Sequence, residues 1–279
     1  MSQPHTPAYH APLSIGISPC PNDVFIFAGW LLGRIQAPAA RFVFEDVETL
    51  NGMARAGELD VVKVSWANVQ ACSGYEALEC GGALGRGCGP LLLTGGAAWD
   101  PHAEVLVPGA RTTANFLLDD WYARVAASSD AKAPPLRKRF LPFDALYRRL
   151  KENPEAQGVV IHEMRFTYEA DGLRLVRDLG AAWEDATGLP IPLGAVLRRD
   201  VIEVPARAAL EDAVRASLDW ARAHESEALE LCARYAQDMT PAVMRAHIDL
   251  YVNEFSRDLG VAGRRAVDAL MRRLADRGV

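Results

Sequence analysis

The sequence predicts an α/β protein folded as two lobes. Three observations carry that reading: short apolar runs alternate with helix-patterned segments up to residue 163, two polar or proline-bearing stretches interrupt the alternation, and the last third is patterned for helix alone. In chain order, LSIGI (13–17) reads as the first strand and runs into SPCPND (18–23), where two prolines, an asparagine and an aspartate precede an apolar stretch. Phe25, Ala28, Gly29 and Leu32 then recur at i, i+3, i+4 and i+7, the spacing of one helix face. RFVFEDVE (41–48), DVVKVS (60–65), GPLLLTG (89–95), EVLVP (104–108), KRFLPF (138–143) and GVVIHE (158–163) read as further strands, most followed by helical segments. That order argues for parallel sheet with crossover helices. Met244, His247, Ile248, Tyr251, Val252 and Phe255 form one helical stripe near the end, and Val267, Leu270, Met271 and Leu274 form another. AAWDPHAE (97–104) and TGLPIPLGAVLRRD (187–200) are the two expected crossings between lobes. They make residues 12–98 with 199–279 one discontinuous lobe and residues 99–198 an inserted second lobe. AASSDAKAPPLRKR (126–139) reads as a polar surface loop, its RKR a solvated face.

Composition sets outer bounds. A chain of 279 residues that is 50% hydrophobic is long enough for one large or two ordinary domains with a sizeable core. A net charge of −6 gives no electrostatic footprint for nucleic acid. The five cysteines are odd in number and form no C-x-x-C pair, which fits reduced thiols in the cytoplasm. The opening MSQPHTPAYHAP has no basic segment followed by an apolar one, so a secretory signal is not expected, and no apolar run approaches the roughly 18 residues of a membrane span.

Chemistry concentrates at strand-to-helix corners. GISPCPND brings together Ser18, Asn22 and Asp23, VVKVSWANV brings Lys63 and Ser65, and VPGARTTANFLL brings Thr112 and Thr113. Helix N-termini hold anions through free N–H groups and the macrodipole, so three such corners facing one cleft suit a small acidic molecule. The same residue types are also ordinary helix N-caps. Among the histidines, His5 and His10 lie in the N-terminal tail, His102 in a linker, His224 at a polar helix end and His247 on an apolar stripe. Only His162 ends a buried-looking strand, at the carboxyl edge where α/β proteins place ligands. An imidazole there can transfer protons near its reference pKa of about 6.5, or it can be a packing histidine held by a carbonyl. HEMRF lacks the second histidine of a zinc-protease motif, and the glycine-rich GALGRGCGP enters a strand instead of opening a helix, so it suits close backbone packing better than phosphate binding.

SPCPNDVFIF, DVVKVS, GALGRGCGPLL, PGARTTANFLL, GVVIHEMRFTYEADGLRLVRDLGAAWEDATGLPIPLGAVLRR and HIDLYVNEFSRDLGVAGRRAV resemble the successive motifs of the 1,4-dihydroxy-6-naphthoate synthase family, from about residue 13 to 275. The resemblance implies a two-lobed type II periplasmic-binding-protein-like fold with the ligand cleft between the lobes. It implies a lyase of the futalosine route to menaquinone that converts cyclic dehypoxanthinyl futalosine to 1,4-dihydroxy-6-naphthoate, with no metal or cofactor. By the same resemblance His162 is the catalytic base, Lys63, Val64, Ser65, Thr113 and Ala114 bind substrate, and Asn22 and Asp23 either cap the first helix or touch substrate. Val62 stands where the family usually has threonine, and SWANV where SFHAY is more frequent. The competing readings are a plain binding protein of the same fold and a chorismate dehydratase.

Overall fold

The structure, a computed structural model, describes residues 12–128, 133–236 and 239–278. His5, His10 and the tail before residue 12 lie outside the described residues, as do residues 129–132 of the expected surface loop. Among the described residues, eleven strands run in the order β1 Leu13–Ile17, β2 Ala40–Phe44, β3 Val61–Ser65, β4 Tyr75–Ala77, β5 Ala83–Gly85, β6 Leu91–Thr94, β7 Glu104–Val107, β8 Arg137–Phe140, β9 Gln157–Val160, β10 Arg174–Asp178 and β11 Ile191–Arg199. They form two sheets. The first has the order β2-β1-β3-β11-β4, with β5 also pairing β11, and the second has the order β10-β6-β9-β7-β8.

Parallel pairing is confined to part of each sheet. β1 runs parallel to β2 and β3, and β7 runs parallel to β8 and β9. The rest is antiparallel: β11 against β3, β4 and β5, and β6 against β9 and β10. The antiparallel members include the first strand of the second sheet, β6, and the strand that returns to the first, β11.

The change of sheet does not fall where the polar stretches suggested. β5 ends at Gly85 in the first sheet and β6 begins at Leu91 in the second, so the outward crossing precedes residues 97–104. Those residues instead join β6 to β7 inside the second sheet. The return crossing is complete before Ile191, and most of the stretch 187–200 is β11 itself, a strand of the first sheet. The physical reason is plain at both ends. Leu91, Leu92 and Leu93 are buried between β9 and β10, whereas Asp-Pro marks any surface turn, including one within a sheet.

The C-terminal helices Val204–Ala223, Glu225–Tyr235 and Pro241–Tyr251 pack over the short first helix, Pro21–Ile26. All six residues of that helix are buried. Its polar members, Asn22 and Asp23, are therefore enclosed with it and need partners inside the protein. Gly89 and Gly180 pass so closely that a Cβ on either would strike the other's backbone, which accounts for the glycine-rich segment ahead of β6 as a packing device. Among the described residues, no helix is long and apolar enough to cross a membrane.

Candidate functional site

Four corners meet at one cleft, each just beyond the carboxyl end of a strand: Ser18 after β1, Ser65 closing β3, Thr112 and Thr113 after β7, and His162 after β9. The cleft encloses about 100 Å³ and draws its wall from both sheets. All eight site residues singled out in the sequence line it: Asn22, Asp23, Lys63, Val64, Ser65, Thr113, Ala114 and His162.

The corners are not built alike. Thr112 is a true N-cap, accepting a hydrogen bond at Oγ1 from the Asn115 N–H at 3.2 Å. At the first corner Cys20 occupies the N-cap position and makes no capping bond from its side chain. Asp23 binds elsewhere: Oδ2 accepts from Ser18 Oγ at 2.7 Å, and Oδ1 accepts from Lys63 Nζ at 2.6 Å and from Asn22 Nδ2 at 2.8 Å. Lys63 donates a second bond to the Gly81 carbonyl at 2.9 Å, and its stem passes where a side chain at residue 194 would clash, so Gly194 makes room for it. The Lys63 and Asp23 side chains are only 5% and 3% exposed. The buried ammonium thus has its counter-ion within the protein, and the pair is part of the cleft wall.

Ser65 is held by Asn51, whose Oδ1 accepts from the Ser65 N–H at 2.9 Å and whose Nδ2 donates to Ser65 Oγ at 3.3 Å. Thr113 Oγ1 donates to the Leu193 carbonyl at 3.0 Å and accepts from the Ala67 N–H at 3.3 Å. The Thr113 hydroxyl therefore bridges β11 to the turn after β3. Two different outcomes are expected on removing these hydroxyls. Ser65→Ala raises KM by the equivalent of about 0.5–2 kcal/mol with kcat little changed, as for a lost ground-state hydrogen bond. Thr113→Ala strands two backbone groups and lowers stability by about 1–3 kcal/mol. Steady-state kinetics beside thermal unfolding separates them, and a Thr113→Ala protein with unchanged melting would contradict the bridging role.

His162 has φ of +58°, and it is the one non-glycine with positive φ among the described residues. Such a left-handed residue stores strain and is uncommon outside turns and functional sites. Its Nδ1 lies 3.4 Å from the Cys20 sulfur. Burial pulls the imidazole pKa down, but the Cys20 sulfur, through its charge and hydrogen bond, outweighs burial together with the Glu163 and Asp23 carboxylates, so the group is raised to about 9. The near-neutral value of a reference imidazole is thus displaced upward. The neutral form that can take a proton is the minor one near pH 7 and grows as pH rises.

A sequence profile described as menaquinone biosynthesis matches residues 13–276. The chain belongs to the menaquinone biosynthesis family. It is 43% identical over 270 residues to a 1,4-dihydroxy-6-naphthoate synthase of Streptomyces coelicolor, covering 96% of this chain and 94% of that one. A protein of the same name from Thermus thermophilus is 44% identical over 275 residues, covering 96% and 95%. Among solved structures, protein AF1704 from Archaeoglobus fulgidus superposes with a TM-score of 0.87 at 25% identity, over 97% of this chain and 99% of that one. The Candida albicans CA3427 product, described as having the generic periplasmic binding protein fold, gives 0.66 at 12% identity over 95% of both chains. The aliphatic sulphonate binding protein SsuA from Escherichia coli gives 0.66 at 12% identity, over 95% and 85%. This member of the menaquinone biosynthesis family therefore has the periplasmic-binding-protein-like fold.

Three side chains of the family member's site were not legible as such. Cys20 is a neighbour of His162 only in the fold, 142 residues away in sequence. Asn51 lies inside the helix Val47–Ala56, with nothing in its local pattern to mark it. His247 falls within an apolar stripe, and its sole signal is that a polar residue stands at a position whose neighbours Met244, Ile248 and Tyr251 are all buried.

Proposed function

We propose that this chain is a 1,4-dihydroxy-6-naphthoate synthase, a lyase that converts cyclic dehypoxanthinyl futalosine to 1,4-dihydroxy-6-naphthoate, with His162 as its general base. The observation that carries the reading is the meeting of a strained histidine and a row of strand-end donors at one cleft in a chain that matches the family over residues 13–276. Cleavage and aromatisation need a base to remove a proton, donors to hold developing negative charge on oxygen, and exclusion of water. His162 supplies the first. The Lys63 charge is taken up by Asp23, so anchoring of an acidic substrate falls to the Ser65 hydroxyl, whose proton is free, and to the backbone N–H of Thr113 at its helix start, with Val64 and Ala114 as apolar wall. Asn22 and Asp23 serve as a buried support and do not cap the first helix. A net charge of −6 and five free cysteines suit a small-molecule enzyme of the reducing cytoplasm.

The test is turnover. Purified protein incubated with cyclic dehypoxanthinyl futalosine is expected to release 1,4-dihydroxy-6-naphthoate, followed by chromatography, and to leave chorismate unchanged. Dehydration of chorismate with no naphthoate formed would replace this reading with that of a chorismate dehydratase.

Substrates of this size occupy pockets of roughly 300–1,000 Å³, well above the cleft volume here. Opening must precede binding, and we infer that the two sheets part as lobes about the connection between β5 and β6 and the one leading into β11. Small-angle scattering is expected to show a larger radius of gyration without ligand than with saturating product. An identical radius, with binding verified by calorimetry, would contradict the opening.

A further inference from the structure

The base proposed above uses one of the two histidines in the cleft wall, and the second has an unspent nitrogen. His247 lies on the helix Pro241–Tyr251 and is completely buried. Its ring is stacked on His162 with centroids 6.4 Å apart and planes 23° apart, and on its other contacts it meets Tyr251 at 4.6 Å and Phe166 at 6.5 Å. Nε2 lies 3.0 Å from Asn22 Oδ1. Nδ1 is buried and has no hydrogen-bond partner among the described residues.

The protonation of this ring can be worked out from its neighbours. The Lys63 ammonium only donates, and it donates to Asp23 Oδ1. The Asp23 carboxylate beside it only accepts, so Asn22 must turn its NH₂ toward Asp23, as the 2.8 Å contact has it. Asn22 therefore presents its carbonyl oxygen to His247, and Nε2 must carry the proton it donates. A neutral imidazole with its proton on Nε2 has a bare lone pair on Nδ1. Burial first, and then the charge of His162, hold the His247 pKa down to about 3, so the ring does not escape this tautomer by taking a second proton near neutrality. The chain Lys63, Asp23, Asn22, His247 thus converts a buried ammonium into a fixed, buried acceptor on a residue that lines the cleft. A buried acceptor left without a donor is costly, and the cleft residues supply none.

We propose that His247 is a substrate-binding residue whose Nδ1 accepts a hydrogen bond from a hydroxyl of the bound substrate or product. The inference rests on the synthase reading for the identity of the ligand. It deepens that reading by giving the second histidine a role distinct from proton abstraction: it recognises a hydroxyl, in a tautomer set by residues 22, 23 and 63.

Two substitutions divide the nitrogens. In His247→Gln the amide stands near the Nε2 position and keeps the bond to Asn22 while Nδ1 is lost. In His247→Asn an amide oxygen stands near Nδ1 while the Asn22 bond is lost. The experiment is ¹⁵N NMR of histidine-labelled protein with and without 1,4-dihydroxy-6-naphthoate, combined with kinetics and thermal unfolding of both variants. Each variant assigns the His247 signals by their disappearance, so one folded variant suffices. The expected result is an Nε2–H tautomer in the free protein, an Nδ1 resonance that moves upfield on adding product, and a kcat/KM at least tenfold lower in His247→Gln, with His247→Asn retaining more activity than His247→Gln. An Nδ1 resonance unmoved by saturating product overturns the proposal, as does a folded His247→Gln with kcat/KM within twofold of wild type. Failure of the wild type to form any naphthoate would strike the synthase reading itself, whereas normal turnover with an unmoved Nδ1 strikes this inference alone.

Discussion

His162→Asn lowers kcat by a factor of about 10²–10⁴, or roughly 3–5 kcal/mol of barrier, while product still binds. Asparagine keeps a polar group near the Nδ1 position but cannot take a proton near pH 7. It also tolerates the left-handed backbone better than most residues, so the φ of +58° is no obstacle to folding. The contact with the Cys20 sulfur is weakened but not replaced by a clash. Thermal unfolding should change little, which separates loss of a base from loss of packing. A variant that keeps more than about a tenth of wild-type kcat leaves under roughly 1.4 kcal/mol for the histidine and moves the search for a base to Asp23 or Glu163. Asp23 is the weaker substitute, since both its oxygens already accept bonds from Ser18, Asn22 and Lys63.

Lys63→Met destabilises the protein by about 3–5 kcal/mol, because it leaves the Asp23 carboxylate buried without its counter-ion. For a chain of this size that corresponds to a fall in Tm of roughly 5–9 °C. The effect should be non-additive. With Asp23→Asn added, the stranded charge is gone, the Ser18 and Asn22 contacts can re-form to an amide, and much of the loss is recovered. Calorimetry of the two single variants and the double variant measures the coupling. A Lys63→Met protein melting within about 3 °C of wild type would mean that water or another cation already reaches Asp23.

These two residues also show what the sequence could and could not convey. β1, β2, β3, β6, β7 and β9 are largely apolar runs bounded by turn residues, and such runs are readable one at a time, whereas β8 is the basic, mostly exposed RKRF. β4 and β5 have three residues each, too few for a period, and β10 is the charged RLVRD at a sheet edge. β11 reads as a crossing between lobes because Pro190, Pro192 and Gly194 resemble breakers, although the strand is the hub that binds β3, β4 and β5. The site was legible wherever chemistry stands at a strand end, which includes Ser65, Thr113 and His162. It was hidden wherever function depends on a contact between distant segments: Asn22 meets His247 across 225 residues, and Asp23 meets Lys63 across 40. The N-cap explanation, sound for Thr112, fails for Asp23 because the first helix is roofed by C-terminal helices that no local pattern announces.

The central claim is proton abstraction by His162, and the pH dependence of kcat/KM tests it most directly. A base works when deprotonated, and the His162 group titrates at about 9, so the wild-type rate should rise with pH through neutrality and level off only near that value. The rise should be absent in His162→Asn. A wild-type profile that is flat between neutrality and pH 9 or so, or an ascending limb that persists unchanged in His162→Asn, would contradict the account.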